Sequence, residues 1–372
     1  MLERLREECY LNLNPLQTGG RTNAEIRKTA LQFVDGYSVC DYCQGVLHLI
    51  EKPPICNLVK ELVEFLDMDE ARLTLGAREG KFIVMHSLLL PGDAIVFDAN
   101  RHYTTYIAAE SVGAKIYEVE SIGYPSFEIT PEAYRKTFER VIKETGAPPK
   151  LALLTHVDGD YGNLTDAKCI GELCKEYGVP FLLNAAYTAG RMGVKGKELG
   201  ADFLVCSGHK GFGVPGTIGI LATTSKWVEK VFRRSSLYDK KEVELLGCTA
   251  RSGSLACLIT ALPYIKERVK GWDEEVKKAQ WFVEQMEGLG GITQIGARPT
   301  QHDLVRLETP ILREISKTHR KKGYYLYYEL EKRGITGLKP GQTDWFKLST
   351  YGFTWDQVKH LFTAFEEIVK ES

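Results

Sequence analysis

The stretch Ala201–Gly213, ADFLVCSGHKGFG, is the most informative part of the sequence for predicting the fold and the chemistry of this chain. An apolar strand ends in the tetrapeptide SGHK, residues 207–210, and glycines follow at once. A lysine at a strand end, beside flexible backbone and polar donors, suits a Schiff base. Partial burial would lower the pKa of Lys210 and leave a neutral amine able to attack an aldehyde. An ordinary loop lysine would show the same short pattern, so neighbouring stretches must decide between the two.

Two stretches nearer the N-terminus add to this pattern. Residues Pro180–Tyr187, PFLLNAAY, form a buried strand that ends in Asn184, a polar residue placed where a heteroaromatic ring could sit. An asparagine that caps a turn is the alternative. Residues Leu75–Lys81, LGAREGK, lead into the helical run Phe82–Leu89. Small residues before a helix leave backbone N–H groups free, and such groups bind anions.

Strands and helices alternate through the middle of the chain, which predicts an α/β fold with a mostly parallel sheet and ligands at the carboxyl ends of its strands. The clearest helix is Asp166–Tyr177, which Thr165 or Asp166 can cap and Gly178 ends. The predicted strands are Ala94–Asp98, Ala114–Val119, Leu151–His156, Pro180–Asn184 and Asp202–Cys206.

The pattern changes on either side of this region. Residues 1–55, in which Asn12–Arg21 is turn-rich and a polar helical stretch follows, are predicted to form an N-terminal arm. Residues 56–253 are predicted to form a large domain, and 254–372 a smaller α+β domain. In that last part, helical patterns surround short strands. The predicted helices are Ser254–Met286, Ile311–Arg333 and Thr354–Glu371, and the strands are Asp303–Glu308 and Phe346–Thr350.

Length and composition exclude several classes of protein. The 372 residues suggest two or three domains, and a hydrophobic content of 44% excludes a disordered or low-complexity chain. The formal net charge of −1 gives no overall basic field, so contact with nucleic acid requires a local patch. We find no apolar run of bilayer length and no signal-peptide core in MLERLREECY, and we therefore expect a cytoplasmic protein without membrane contact.

Three of the nine cysteines lie in polar surroundings that do not resemble a core. Cys40 and Cys43 form a Cys-x-x-Cys pair in the arm, and Cys248 falls in the Gly/Ser-rich stretch LGCTARSGS, residues 246–254. Such spacing occurs in redox pairs, in metal or iron–sulfur sites and in sulfur handling, although the three could also be incidental. We expect mostly reduced thiols.

Together these stretches resemble the pyridoxal-phosphate enzymes of the aspartate aminotransferase fold (fold type I, with a seven-stranded sheet), within the cysteine-desulfurase-like branch. The set NPLQTGGRT, YSVCDYC, LGAREGKF, LLNAAYTAGRMG and SGHKGFG is similar to the archaeal O-phosphoseryl-tRNA:cysteinyl-tRNA synthase family. That family uses pyridoxal phosphate to convert phosphoserine, esterified to cysteine tRNA, into cysteine. The resemblance implies a homodimeric transferase with tRNA(Cys), and the phosphoseryl-tRNA synthetase, as partners.

The resemblance also implies roles for individual residues. Lys210 would carry the cofactor, and Cys40, Cys43 and Cys248 would supply sulfur, as a persulfide or an iron–sulfur cluster; no other metal is expected. The cofactor-binding residues would be Ala77, Arg78, His102, which stacks on the ring, Asn184, which faces the ring nitrogen, Ser207, Gly208 and His209. Candidates for gripping the substrate phosphate are Arg78, His102, Tyr103, Lys226 and Arg251.

Two departures from the wider fold family bear on the reaction. Most members place aspartate opposite the pyridine nitrogen, whereas Asn184 can only form a hydrogen bond, which weakens the electron sink and fits an elimination with a good leaving group. Enzymes that act on free amino acids commonly hold the α-carboxylate with an arginine, but the comparable position here is Lys347. A tRNA ester has no free carboxylate, so an arginine there would have no partner.

The tRNA surface predicted from the sequence is Arg313–Lys322, REISKTHRKK, in which Arg320, Lys321 and Lys322 form a cationic cluster before a run of tyrosines. A solvated helix face with tyrosines turned to the core is the alternative. For the whole chain, two other functions stay open. One is a cysteine desulfurase or selenocysteine lyase that acts on a free amino acid, and the other is a non-catalytic sulfur or iron–sulfur scaffold.

Overall fold

A central sheet with helices on both faces organises the larger part of the chain. The computed structural model describes residues 10–16, 22–35, 38–43, 45–245 and 252–371. Its helices are α1 Ala24–Gln32, α2 Cys40–Cys43, α3 Ile55–Leu66, α4 Ala77–Leu88, α5 Tyr103–Ser111, α6 Pro131–Thr145, α7 Ala167–Tyr177, α8 Val228–Val231, α9 Ser252–Arg268, α10 Trp272–Gly288, α11 Pro310–Thr318, α12 Tyr325–Lys332 and α13 Trp355–Lys370. Its strands are β1 Leu11–Asn12, β2 Glu70–Thr74, β3 Ala94–Asp98, β4 Lys115–Val119, β5 Leu151–Thr155, β6 Phe181–Asn184, β7 Phe203–Ser207, β8 Gly219–Thr223, β9 Thr293–Ile295, β10 Leu304–Glu308, β11 Ile335–Thr336 and β12 Trp345–Ser349.

The large sheet has the strand order β2-β8-β7-β6-β5-β3-β4 within the described residues. Strands β7, β6, β5, β3 and β4 run parallel, whereas β8 is antiparallel to both of its neighbours. This confirms the predicted α/β fold with a mostly parallel seven-stranded sheet.

Apolar side chains cover both faces of this sheet, which explains why its strands read as continuous hydrophobic runs. Along β3, Val96 belongs to one core cluster and Ile95 and Phe97 to the other. The first cluster packs against α3, α6, α7 and α9, and the second against α4, α5 and α8.

Helix α7 shows how local sequence sets the boundaries of an element. The Asp166 carboxylate accepts the N–H of Cys169 at 3.0 Å at the start, and Gly178 ends the helix in the left-handed region with φ 68°. Of the two predicted caps, Asp166 is therefore the one used.

The C-terminal part builds a second, antiparallel sheet with the order β12-β10-β9 and a separate core. The start of the arm joins this part, because β1 pairs in parallel with β11 and Leu13 is buried in its core, whereas Ile26 and Val39 of the arm are buried in the core of the large sheet. Helix α9 crosses the predicted boundary at 253/254, and beyond that boundary it buries Leu255, Leu258 and Leu262 in the core of the large sheet. The domain boundaries stay a prediction.

The strand ends that carry the predicted site residues lie along one edge of the large sheet. The register pairs Thr155 with Asn184, and Gly219 at the start of β8 pairs with both Ser207 and Thr74. The carboxyl ends of β2, β5, β6 and β7 therefore meet along this edge, as the parallel topology requires. No helix in the described part of the chain is long and apolar enough to span a bilayer.

Candidate active site

A cavity of about 1140 Å³ opens at the carboxyl edge of the large sheet. Pro15 of the arm, and Leu304 and Lys347 of the small sheet, close its other side. Eight of the predicted site residues line this cavity: Ala77, Arg78, His102, Tyr103, Asn184, Ser207, His209 and Lys210. The structure thus brings three separately noted sequence stretches to one place.

Lys210 lies three residues beyond the end of β7, with its amine 5.8 Å from the centre of the Tyr187 ring. Burial, followed by the charge of Arg191, lowers the pKa of Lys210 to about 8. A much larger share of this amine is neutral near pH 7.5 than is the case for an ordinary lysine. The geometry therefore provides a nucleophilic amine and a proton acceptor at one atom.

We expect the reactivity of Lys210 to titrate with a midpoint near pH 8. Only the neutral amine reacts with an amine-labelling reagent, so labelling of Lys210 should rise about fifty-fold between pH 6 and pH 8. Competitive labelling of the cofactor-free protein, followed by peptide mass spectrometry, measures this, with the exposed Lys143 of α6 as the reference. A midpoint above pH 10 would show that burial does not activate the amine.

The loop before α4 is shaped for close approach of a ligand. Gly76 has φ +156°, a conformation that side chains rarely adopt, and a Cβ built on it would have no atom within 4 Å. As the N-cap of α4 it provides no side chain to cap the first-turn N–H groups. Behind it, a Cβ on Gly219 would overlap the Gly76 backbone, so two glycines bring strand β8 and this loop together. The helix N-terminus can therefore hold a phosphate.

Asn184 is buried at the end of β6, and its Oδ1 accepts the N–H of Ala186 at 3.3 Å. The amide NH₂ takes no part in this hydrogen bond, so it can donate to a ligand in the cavity. A donor at this position pairs with an unprotonated ring nitrogen. With the amine of Lys210 and the N-terminus of α4, the residues present fit pyridoxal phosphate.

Lys347 lines the cavity from β12, and its amine is already engaged. Its Nζ donates to the Gly159 carbonyl at 2.7 Å and to the Asp160 carboxylate at 3.0 Å. Lys347, which the resemblance compares with a carboxylate-binding arginine, thus already pairs with a carboxylate of its own chain.

Two buried cations at the site were missed by the sequence reasoning. Lys81 lines the cavity with 1% of its surface exposed and lies one turn beyond Ala77, a spacing that could have revealed it. Arg191 is fully buried and forms an ion pair with Asp303 of the small sheet. Nothing in the sequence reveals that pair, because its two residues lie 112 positions apart.

Arg191 ties three parts of the chain together behind Lys210. Besides the ion pair with Asp303, it donates to the Pro15 carbonyl of the arm at 2.8 Å. Its guanidinium lies 4.2 Å from the ring centre of Tyr187 and 4.7 Å from that of Tyr351. Asp303 in turn accepts the Ser349 hydroxyl at 2.6 Å. The wall that closes the cavity therefore depends on this buried pair.

Other predicted site residues do not line the cavity. Lys226 was expected near the substrate, but it follows β8, the antiparallel strand, and this topology places it at the opposite edge of the sheet. Gly208 lies behind the cavity wall against Ile218. Arg251 and Cys248 lie outside the described residues.

Cys40 and Cys43 also stay away from the cavity of their own chain. Cys40 is exposed at the start of α2, whereas Cys43 is buried in the core cluster that contains α3. Among the described residues, no group of three metal-ligating side chains forms a site for a metal ion. Because Cys248 lies outside the described residues, this finding does not test an iron–sulfur cluster that includes it.

Comparison with known proteins agrees with this geometry. The family model described as O-phosphoseryl-tRNA(Sec) selenium transferase, SepSecS, matches residues 85–370. The O-phospho-L-seryl-tRNA:Cys-tRNA synthase of Methanothermobacter thermautotrophicus is 52% identical and covers 100% of this chain and 98% of its own length.

Solved structures give the same result. A crystal structure of SepCysS in complex with the N-terminal domain of SepCysE is 45% identical, with a TM-score of 0.92 over 99% of this chain and 96% of that one. The apo cysteine desulfurase of Thermococcus onnurineus NA1 is 19% identical, with a TM-score of 0.77 over 100% of both chains, and it shares the fold. From its sequence, fold and cavity, the chain belongs to the O-phospho-L-seryl-tRNA:Cys-tRNA synthase family.

Proposed function

We propose that this protein is a pyridoxal-phosphate enzyme that converts O-phosphoseryl-tRNA(Cys) into cysteinyl-tRNA(Cys). The observation that carries the proposal is Lys210, an amine with a lowered pKa at the carboxyl edge of the sheet, inside a cavity that also contains Asn184 and the N-terminus of α4. In the overall reaction the phosphate ester at Cβ is replaced by a thiol, and inorganic phosphate leaves.

The chain's own residues account for binding and proton transfer in this reaction. When bound, pyridoxal phosphate supplies an aldehyde for the substrate amine and a ring that withdraws electrons from Cα. Lys210 Nζ takes the proton from Cα and later returns it. Asn184 orients the ring without protonating it, which suffices because phosphate is a good leaving group. Such general-base help contributes roughly 10²–10⁴-fold.

The neutralised Lys347 supports a substrate without a free carboxylate. Its ammonium group already pairs with the Asp160 carboxylate, so the carboxylate of a free amino acid would have to compete with Asp160 for this charge. An esterified amino acid requires no such pairing. We therefore favour aminoacyl-tRNA over a free amino acid, and with it a synthase over a desulfurase or a lyase.

The placement of the cysteines supports a homodimer. Cys40 and Cys43 do not line the cavity of their own chain, so sulfur carried on them must reach Lys210 from a second copy or after movement of the arm. Tyr103 and Tyr106, at the cavity, are 62% and 44% exposed, as expected for side chains that a partner covers. The homodimer, with Cys248 as third sulfur carrier, is the arrangement we propose.

The partners proposed beyond the dimer are charged tRNA and proteins of the same pathway. SepCysS forms a solved complex with SepCysE, and a SepCysE-like protein is therefore a candidate partner here. The phosphoseryl-tRNA synthetase supplies the substrate and is a second candidate. A tRNA substrate places the reaction in the cytoplasm.

For tRNA we propose the cationic cluster Arg320, Lys321 and Lys322, between α11 and α12. Arg320 and Lys322 form no ion pair with any described residue, and Lys321 lies 3.8 Å over the Tyr328 ring. Tyr324 and Tyr328 are exposed on the surface, whereas Tyr325 is buried in the core. Unpaired cations beside exposed rings suit a nucleic-acid backbone.

Replacing Arg320, Lys321 and Lys322 by alanine should weaken tRNA binding and its dependence on salt. Each lost phosphate contact lowers the slope of log affinity against log salt by about 0.7–0.9, so the triple variant should lose about 2–3 from that slope. Binding isotherms at several salt concentrations measure it. A control that removes the exposed Lys136, Lys143 and Lys168 from α6 and α7 should keep the slope. Equal slopes for the wild type and the triple variant would exclude this surface.

The proposed function is tested by offering the purified protein two substrates in parallel. With pyridoxal phosphate and sulfide, phosphoseryl-tRNA(Cys) should yield cysteinyl-tRNA and one equivalent of phosphate. Free cysteine should yield no alanine and no sulfide. Turnover of free cysteine without conversion of the tRNA ester would favour a desulfurase, and absence of both activities together with absence of bound cofactor would favour a non-catalytic scaffold.

A further inference from the structure

Lys81 is a buried cation at the cavity whose partners are two hydroxyl groups. Its Nζ donates to Thr104 Oγ1 at 2.5 Å and to Thr105 Oγ1 at 3.0 Å, both on α5. Among the described residues, no carboxylate lies within ion-pair distance of it. Burial, and then the charges of Lys210 and Arg78, lower the pKa of Lys81 to about 7, although Asp98 opposes them, so its amine is charged below that pH and still donates both hydrogen bonds above it.

The hydrogen bonds from Lys81 continue to His102 and have a fixed direction. The Thr104 backbone N–H donates to His102 Nδ1 at 3.3 Å, so this ring nitrogen carries no proton. The Thr104 hydroxyl, 2.8 Å from the same nitrogen, must then donate its proton to it as well. The lone pairs of that hydroxyl oxygen are left to accept from Lys81. The chain of donors therefore runs from Lys81 through Thr104 to His102.

This direction determines the state of the His102 ring. With Nδ1 accepting two hydrogen bonds, the single proton of the neutral ring sits on Nε2, and a second proton would face two donors. Burial, and then the charges of Lys210 and Lys81, lower the pKa of His102 to about 4. The charge of Asp160 acts to raise this pKa, and that of Arg78 acts to lower it further. Geometry and charge agree on a neutral ring.

We propose that Lys81 is a positioning residue that acts through Thr104 to hold His102 neutral, with its proton on Nε2, so that this N–H serves as the donor to an anionic oxygen in the cavity. His102 lines the cavity, and among the described residues Nε2 has no hydrogen-bond partner. The identity of the anion as a phosphate oxygen rests on the proposed function. The state of the ring does not.

Two threonines provide a matched pair of variants for the test. Thr104 contacts both Lys81 and His102, whereas Thr105 contacts Lys81 alone. The experiment records the ¹⁵N resonances of labelled histidine in the cofactor-free protein between pH 5 and pH 8, where shifts distinguish protonated from unprotonated ring nitrogens. A His102→Gln spectrum identifies the signals among the eight histidines.

In the wild type we expect Nδ1 to stay unprotonated across this range, and inorganic phosphate to shift the Nε2 resonance. Thr104→Val keeps the backbone N–H but removes the hydroxyl, and Lys81→Met removes the charge; each should raise the pKa of His102 by about one unit or more. Thr105→Val should behave as the wild type. Because the spectra are recorded without cofactor and tRNA, failure of the proposed function would leave them unchanged.

Three results would overturn the proposal: titration of wild-type His102 near pH 6.5, a proton on Nδ1, or a Thr104→Val spectrum equal to that of Thr105→Val. A phosphate titration that leaves Nε2 unmoved would overturn the anion contact. If Lys81→Met does not fold, the two threonine variants still decide the question.

Discussion

Replacing Lys210 by alanine should abolish the conversion of phosphoseryl-tRNA to cysteinyl-tRNA, with a loss of at least roughly 10²–10⁴-fold. The reason is that one atom, Lys210 Nζ, is both the proposed amine for the cofactor aldehyde and the base at Cα. No other described residue offers the same combination at that position, since Lys81 is held by Thr104 and Thr105 and Lys347 by Asp160. Single-turnover formation of cysteinyl-tRNA measures the loss.

Two variants make this result specific. Lys210→Arg keeps the positive charge but not a titratable amine, and it should fail as completely as alanine. Lys175→Ala, on the exposed side of α7, should retain full activity. Cysteine formation by Lys210→Ala at a rate near that of the wild type would remove Lys210 from the mechanism.

Replacing Arg191 by methionine should lower the free energy of unfolding by about 3–5 kcal/mol. The change leaves the fully buried Asp303 carboxylate without its cation and removes the link to the Pro15 carbonyl. Although burial acts to raise the pKa of Asp303, Arg191, His302 and the Ser349 hydroxyl together hold it below its ordinary value. Denaturant unfolding of the cofactor-free protein, analysed by linear extrapolation, measures the difference.

The exposed pair Arg135–Glu176 is the control for this prediction. Its side chains are 38% and 55% exposed, so Arg135→Met should cost less than about 1 kcal/mol. The double variant Arg191→Met/Asp303→Leu should recover part of the loss, because it leaves no buried charge unpaired. Equal stability of Arg191→Met and Arg135→Met would show that the buried pair does not hold the two sheets and the arm together.

Much of the large sheet can be predicted from the sequence, because its strands are buried on both faces and show as apolar runs. Strand β3 has the predicted bounds, and β5, β6 and β7 differ by a residue or so. Strand β2 escaped prediction because Arg72 and Glu70 interrupt its pattern. The structure neutralises Arg72 with Glu70 and with Glu242, which lies 170 positions away.

The helices of the C-terminal part show a second limit of local patterns. One helix was predicted over Ser254–Met286, but the chain forms α9 and α10 with a tight turn at Val269–Gly271 between them. Likewise, Ile311–Arg333 divides into α11 and α12. Hydrophobic periodicity continues through such turns, and only tertiary packing shows where the axis changes direction.

Some residues of the candidate site could likewise be predicted from the sequence, and others could not. Residues that follow a strand end, such as Asn184 and Lys210, could be predicted, because parallel topology brings strand ends together. Lys226 could not be placed correctly without knowing that β8 runs antiparallel. Arg191 and Asp303 meet only through the packing of two sheets, and no local pattern indicates such a pair.

The most direct test of the central claim is borohydride reduction of the purified holoenzyme followed by peptide mapping. Reduction makes the bond between the cofactor and its lysine permanent, so the labelled peptide identifies the amine. We predict a pyridoxyl group on Lys210 and on no other lysine of the chain. A label on Lys81 or Lys347, or a protein that takes up no label while it converts phosphoseryl-tRNA, would contradict this account of the site.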